Sequence, residues 1–406
     1  MKILFLTENF YPETNASANR TYNHSMKLSE LGYDVTILTC CPNFPEGIIY
    51  KGYKNKLFNI EYINNIKIIR VWSFISPNKG FYLRILDQFS FFLTSLISSI
   101  FLKKSDYVIA TSPQFLVLIA GYLISFFKRT KFISEIRDLW PDTPREMGVI
   151  KSKILYKLLK KIEFFIYKKS HKIIVVTKKF QEYLILNKIN IEKIHIVPNG
   201  FDPNKIKIKN KNQNLLNELK IKNKIIFGYV GTIGMAHDVI TLVKAFENID
   251  RKLKDKVNFL IIGKGAEYEN VYNYVKINNV KNITFCGMIT KDKIYDYWSL
   301  IDVSIIHLRK LNIFETVIPT KLIESISLEK PILAGLIGES AALVKNNNFG
   351  IIFEPGNYLD LMENLQKIIK NQININTFKK SCSEKKKQFS LDNSINTLME
   401  ILKLNE

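Results

Sequence analysis

Ile225-Ile226-Phe227-Gly228-Tyr229-Val230-Gly231-Thr232-Ile233-Gly234 reads as a short apolar run closed by a glycine turn, after which apolar residues recur at helical spacing. A buried strand that ends in glycine and opens a helix is the building unit of a parallel sheet. Glycine there lets the chain turn tightly and lets its backbone approach a neighbour or a ligand. The same grammar recurs downstream at Phe259-Leu260-Ile261-Ile262, followed by Gly263-Lys264-Gly265, and again at 283–285, 303–306, 331–334 and 351–353. Upstream, apolar runs at 3–6, 35–38, 66–71, 107–110, 132–134 and 172–176 alternate with helix-length segments, the first of them over about 17 to 31. Between the two series lies Pro198-Asn199-Gly200-Phe201-Asp202-Pro203, turn chemistry followed by a Lys/Asn-rich connection to Asn223. The pattern predicts two α/β, Rossmann-like domains, 1–200 and 201–375, each a doubly wound parallel sheet covered by helices.

Composition agrees with two cores. A chain of 406 residues with 47% hydrophobic content has material for both, at roughly 100 to 200 residues per domain. The formal charge is +22, from 59 Lys and Arg against 37 Asp and Glu. These cations are dispersed instead of gathered in one arm or recognition helix, which favours an anionic membrane surface as partner and no nucleic acid. Cys40, Cys41, Cys286 and Cys382 show neither zinc nor redox spacing and suit a reducing compartment. The opening residues 1–7 read as a first strand and not as a signal peptide, so a cytoplasmic protein is expected. Two apolar stretches, 89–102 before Lys103-Lys104 and 115–127 before Lys128-Arg129, fall short of the roughly 20 residues a spanning helix needs. They read as core helices or interfacial ones; Phe81, Tyr82, Phe89, Phe91 and Phe92 keep monolayer contact open for the first.

In doubly wound sheets ligands bind beyond the carboxyl ends of the strands. Gly231-Thr232-Ile233-Gly234 therefore offers backbone N–H groups and a helix N-terminus to a phosphate, or else is a plain strand-to-helix turn. Gly263-Lys264-Gly265 is a second such turn, and neither matches a dehydrogenase or kinase signature. Arg309 and Lys321 supply cations for a diphosphate. Glu324, one turn further, suits a ribose diol, or is a helix surface residue.

Six segments carry a resemblance when taken in order. They are Phe10-Tyr11-Pro12, the run 31–39 beginning Leu31-Gly32-Tyr33, Pro42-Asn43-Phe44-Pro45-Glu46-Gly47, Arg137-Asp138-Leu139-Trp140-Pro141-Asp142, Val197-Pro198-Asn199-Gly200-Phe201-Asp202 and Glu315-Thr316-Val317-Ile318-Pro319-Thr320-Lys321. The chain resembles the retaining glycosyltransferase family 4 with the GT-B fold, and within it the bacterial polysaccharide enzymes similar to the L-fucosamine transferase WbuB. The resemblance implies an acceptor domain over 1–200 and a donor domain over 201–375, facing each other across a cleft, with a final helix in 376–406 crossing back to the first domain. It also implies a UDP-sugar donor of the N-acetylated amino or deoxy class, a polyprenyl-diphosphate-linked acceptor at the inner membrane face, and no metal or other cofactor. By position, Glu324 would hold the ribose, Pro319 and its neighbours the diphosphate, and Met288 the base. Gly231, Thr232, Gly234 and Gly263 would line the phosphate pocket.

Three departures shape the expected site. Thr316 stands where the family's first glutamate would be, Ala236-His237-Asp238 replaces an Arg and a Lys, and Asn15-Ala16-Ser17 replaces a glycine pair. Arg309, ahead of Lys321 and Lys264, is then expected to meet the leaving diphosphate. Asp138 orients or assists the acceptor and Arg137 stands beside it, or the two form a structural ion pair. Asn15 and Trp140 shape the acceptor site, or Trp140 is loop packing. The rival reading is a nucleotide-sugar 2-epimerase of the same fold, whose acid/base groups would have to come from carboxylates and from His24, His171, His195, His237 or His307.

Overall fold

The computed structural model describes residues 1–76, 81–290 and 292–403; the side chains of Phe81 and Tyr82 lie outside the described residues. The chain divides into two compact units, Met1–Asn199 with Asp392–Glu406, and Gly200–Leu391. The first runs β1 (Lys2–Leu6), α1 (Ala16–Glu30), β2 (Asp34–Cys40), β3 (Phe58–Ile63), β4 (Ile66–Val71), α2 (Phe81–Ile100), β5 (Tyr107–Thr111), α3 (Phe115–Lys128) and β6 (Lys131–Ile136). It continues through α4 (Asp142–Glu146), α5 (Lys153–Lys169), β7 (Lys172–Val175), α6 (Lys178–Leu186) and β8 (Ile194–Ile196). The second unit runs α7 (Gln213–Glu218), β9 (Ile225–Val230), α8 (Val239–Asn248), α9 (Arg251–Lys254), β10 (Val257–Ile262), α10 (Tyr268–Ile277), β11 (Ile283–Gly287), α11 (Ile294–Leu300) and β12 (Val303–His307). Then come α12 (Thr320–Ser327), β13 (Ile332–Gly335), α13 (Gly338–Asn346), β14 (Gly350–Phe353), α14 (Tyr358–Ile369), α15 (Ile375–Lys385) and α16 (Leu391–Lys403).

The sheet orders are β3-β4-β2-β1-β5-β6-β7-β8 and β11-β10-β9-β12-β13-β14. In each, the chain starts in the middle and winds to both sides, so the order reverses between β1 and β5 in the first unit and between β9 and β12 in the second. A crevice opens at such a reversal because the loops on either side leave in opposite directions. The second unit's core fills with Phe227, Phe246 and Phe259, the last two stacked at 4.5 Å and 4°.

Two features differ from the sequence reading. The first sheet is not purely parallel, because β3 pairs antiparallel with β4 at its edge. Its residues alternate between exposed and half-buried, which leaves no continuous apolar run to read. In addition, α15 stays with the second unit, where the Cys382 thiol is buried against the Lys330 carbonyl and Lys386 pairs with Glu329 at 2.8 Å. Only the segment from Asp392 onward joins the first unit, placing Leu398, Ile401 and Leu402 in its core.

The exit of the chain from the first unit is fixed by a buried guanidinium. Arg20 on α1 pairs with Glu135 on β6 at 2.8 Å and donates to the carbonyls of Val197 and Pro198 and to Asn199 Oδ1. The Ser394 hydroxyl on α16 donates to the same Pro198 carbonyl. Burial raises the Glu135 pKa, but the Arg20 charge and its neighbours outweigh it and hold the carboxyl down at about 2. Removing one partner of such a buried pair strands the other, at a cost of about 3–5 kcal/mol. Arg20→Ala is expected to lower the stability of the first unit by that amount in urea unfolding. Arg20→Lys should recover little, since one ammonium cannot reproduce a planar fork with four acceptors; a wild-type transition in either variant would refute the assignment.

Candidate functional site

In the second unit the loops after β9 and β10 lie on one another. Gly231 N–H donates to the Ile262 carbonyl, Ile233 N–H to the Lys264 carbonyl and Gly263 N–H to the Gly287 carbonyl. A Cβ on Gly263 would stand 2.0 Å from the Gly231 carbonyl oxygen, so this glycine exists for packing. That corrects the expectation that Gly263 lines a phosphate pocket: its amide is already spent and its Cα backs onto the first turn. Among the described residues the amides of Thr232 and Gly234 have no acceptor, and both residues are half-buried.

Lys321 in the first turn of α12 joins this turn from across the reversal point. Its ammonium lies 3.4 Å from where a Gly231 Cβ would stand, donates to the Tyr229 hydroxyl at 2.8 Å and sits 4.3 Å above the Tyr229 ring. The Tyr229 hydroxyl in turn donates a hydrogen bond to the Thr232 carbonyl at 2.6 Å. Burial pushes the Lys321 pKa down to about 7, with Glu324 one turn further pulling the other way. Burial likewise raises Glu324 to about 7, with Lys321 opposing. The cap of α12 is Pro319, whose side chain accepts nothing, and the amides of Thr320 and Lys321 have no acceptor among the described residues. An ammonium and two pairs of free amides thus flank one strand-end crevice, which is chemistry for an anion with several oxygens.

Arg309 stands apart from this cluster. Its backbone N–H donates to the Ala236 carbonyl, while its side chain is exposed and has no hydrogen bond or ion pair among the described residues. The sequence reading ranked it first because a sequence counts cations and not their exposure. Thr316, at the end of a short 3-10 turn, returns its hydroxyl to the Ile313 carbonyl. Met288 follows β11 and is exposed. His307, at the end of β12, was not singled out, although it staples the site together. Its Nε2 accepts from Gly356 N–H at 3.0 Å, so Nδ1 carries the proton and donates to the His237 carbonyl at 2.8 Å. The His237 Nδ1 is buried without a partner.

In the first unit Arg137 and Asp138 follow β6 but do not pair with each other. Arg137 donates to the Ser17 hydroxyl at 2.8 Å, and Asp138 accepts from the Thr143 hydroxyl at 2.6 Å. Burial lowers Arg137 to about 10 and raises Asp138. Asn15 caps α1 through Oδ1, with its Nδ2 buried and unpartnered. Trp140 stacks on Phe115 at 4.6 Å. A carboxyl that sequence reasoning missed, Glu13, accepts from the amides of Asn43 and Phe44 and is raised to about 7 by burial. It ties the loop after β1 to the loop after β2; only its place in a strand-end loop could have pointed to it. Among the described residues no group of three or more His, Cys, Asp or Glu could hold a metal ion.

Residues 17–205 match the family model of glycosyltransferase family 4, and residues 211–389 match that of glycosyl transferases group 1. The chain is 23% identical to an uncharacterized glycosyltransferase, MJ1069, of Methanocaldococcus jannaschii, over 97% of this chain and 94% of that one. Its backbone is similar to sucrose-phosphate synthase from Thermosynechococcus elongatus, with a TM-score of 0.77 and 15% identity over 99% of this chain and 98% of that one. It is also similar to Anabaena Alr3699/HepE in complex with UDP and glucose, with a TM-score of 0.74 and 15% identity over 99% of both chains.

The His307 arrangement has a direct signature. Nitrogen-15 spectra at neutral pH are expected to show its ring as the Nδ1–H tautomer. Burial lowers its pKa, so the stability it contributes is present above the unfolded value of about 6.5 and is lost as pH falls below it. An Nε2–H tautomer, or a ring protonated at pH 7, would contradict the two bonds described.

Proposed function

We propose that this chain, whose two halves match the models of glycosyltransferase family 4 and of glycosyl transferases group 1 and whose fold is GT-B, moves a sugar with retention from a UDP-sugar to a polyprenyl-diphosphate-linked saccharide in the assembly of a bacterial surface polysaccharide. The sugar class in this reading is an N-acetylated amino or deoxy sugar, as in WbuB-like enzymes. The observation that carries it is the Lys321 ammonium held over Tyr229 beside the free amides of Thr232 and Gly234. Breaking the sugar–phosphate bond places negative charge on the departing diphosphate, and groups already aimed at that charge lower the barrier without reorganising. Lys321 and the α12 amides fill this role, with Arg309 as an exposed second cation and no metal called for. Glu324 accepts the ribose hydroxyls, and the Met288 thioether lies against the base. Support for a nucleotide comes also from the UDP bound to the Anabaena protein of similar fold.

With retention, the acceptor hydroxyl attacks from the face that the diphosphate leaves, and a diphosphate oxygen takes its proton. No protein base is then required. Asn15, Arg137, Asp138 and Trp140 serve the acceptor in this reading, Asp138 by orienting it. A polyprenyl acceptor puts the protein at the inner membrane face as a peripheral protein; no helix among the described residues is long and apolar enough to cross a membrane. The rival 2-epimerase needs imidazoles or carboxylates free to exchange protons at the sugar. His24 is shut in the Arg20–Glu135 cluster with its pKa driven down to about 3 by burial, and both nitrogens of His307 are occupied.

Because Lys321 titrates near 7 in the free protein, an arriving diphosphate raises its pKa and draws in a proton. UDP binding above pH 7 is therefore expected to take up close to one proton and to weaken by up to about tenfold per pH unit, read by calorimetry in buffers of different ionisation enthalpy. Lys321→Met should abolish the uptake, weaken UDP by about 10- to 100-fold, and cut kcat/KM by about 100- to 1,000-fold. Arg309→Ala should do markedly less. Unchanged turnover in Lys321→Met would remove this residue from the mechanism.

A further inference from the structure

The face of the first unit formed by α2, α3 and α5 has its apolar residues on the outside. On α2 the outward stripe is Leu86, Phe89, Leu93, Ile97 and Ile100, spaced by three or four, while the inward positions include Ser95, Ser98 and Ser99. The Ser95 and Ser99 hydroxyls satisfy themselves on the carbonyls of Phe92 and Leu96 within the helix. Phe91 is buried on the inner side as well, so what sets this helix apart is an apolar outer side where water favours polar residues. α5 repeats it: Ile154, Leu158 and Phe165 are exposed between Lys157, Lys161 and Lys168, at the same helical spacing. Its inner face is nevertheless docked: Ile166 and Tyr167 are buried, and Lys160 pairs with Asp142 of α4 at 2.7 Å. α3 ends in Phe126 and Phe127, 63% and 75% exposed, and Tyr122 packs edge-on against Phe165 to join α3 to α5.

Beside those two phenylalanines lies a cavity of about 830 Å³. Arg129, Lys131, Lys169 and Lys193 line it, over a floor that includes Phe132, and no carboxylate is among its lining residues. None of the four cations takes part in an ion pair among the described residues. Lys193 instead spends its ammonium on the carbonyls of Lys168 and Ser170, and Lys169 lies over the Phe165 ring. Four like charges around one cavity repel one another and would be stabilised by an anion.

We propose that this three-helix face docks on an anionic phospholipid leaflet, with a lipid phosphate held among Arg129, Lys131, Lys169 and Lys193 while Phe126, Phe127 and the outward stripes of α2 and α5 enter the acyl boundary. The proposal deepens the membrane part of the function proposed above and rests on it for its purpose. Charge complementarity selects the occupant: a protein partner would need a surface both acidic and broadly apolar, whereas an anionic leaflet presents both properties at once. The cavity lies at the amino-terminal ends of β6 and β7, opposite the strand ends that carry Arg137 and Asp138, so lipid and acceptor chemistry do not compete for residues.

The test uses the full chain sedimented with vesicles of phosphatidylcholine alone, or of equal parts phosphatidylcholine and phosphatidylglycerol. The wild type should pellet with the mixed vesicles and stay in solution with the neutral ones. The double variant Arg129→Glu with Lys169→Glu, and separately Phe126→Ser with Phe127→Ser, should each lower partitioning by at least about tenfold. Both should keep the wild-type urea transition of the first unit, which shows that its fold survives, and the wild-type thermal shift with UDP, which reads the second unit. Wild-type binding by either double variant, or equal binding of the wild type to both vesicle types, overturns the proposal. Absence of a UDP shift in every protein would instead overturn the donor reading and leave the vesicle result standing.

Discussion

The second unit is arranged around one awkward charge, the ammonium of Lys321. A cation withdrawn from water is destabilised by several kcal/mol unless something nearby returns what hydration gave. Here the Tyr229 ring and hydroxyl and the more distant Glu324 return part of it, and the lowered pKa measures what is missing. The chain keeps the charge there by construction. Gly231 has no side chain to fill the space before the ammonium, and its turn is braced from behind by Gly263, which could carry no Cβ. His307 then clamps the far end of the same loop to the turn after β14 through two bonds of fixed direction. A rigid cradle with an under-solvated cation is poised for an anion, since the ligand supplies what the protein lacks.

The first unit uses the opposite device. Arg20 is buried too, yet each of its nitrogens has a partner, in Glu135, two carbonyls and an amide oxygen, and its task is mechanical. The contrast separates two kinds of buried cation by a simple criterion. One whose donors all have partners holds the chain in place, and one whose surroundings leave amides free is the kind to which we assign a ligand. Arg137 falls between them, with one nitrogen on Ser17 and its Nε unpartnered.

Much of this was legible in the sequence, and what was not has physical reasons. The strands were readable because a parallel strand buried on both faces is a continuous apolar run, as in Phe259-Leu260-Ile261-Ile262. β3 escaped because an edge strand with one wet face never forms such a run. Gly231, Thr232 and Lys321 were readable as candidates since ligands in such sheets bind at strand-end loops, and the structure brings the three together. Arg309 was ranked above Lys321 because the sequence holds no record of exposure, and Gly263 was taken for a ligand contact because a packing glycine and a binding glycine are spelled alike. Arg20 and Glu135 were out of reach: they are 115 positions apart, and each looks like an ordinary charged residue in its own segment. The one local hint was a glutamate inside the otherwise buried strand Phe132-Ile133-Ser134-Glu135-Ile136.

The apolar stretch at 89–102 shows a further limit, one of register. Its composition suits a core helix as well as an interfacial one, and the total hydrophobicity is the same whichever side faces the sheet. The decision lies in where the serines fall. Were α2 turned by half a revolution, Leu93 and Ile97 would be buried, each gaining about 1.5–3 kcal/mol, and the serines would be in water. The chain forgoes that gain on α2, leaves Ile154, Leu158 and Phe165 outward on α5, and sets cations without ion pairs among the described residues at the edge of this face. A large positive net charge is, on composition alone, only a statement about solubility and stickiness. Placed beside helices whose apolar residues point outward, it becomes the physical ground for the leaflet docking that we propose.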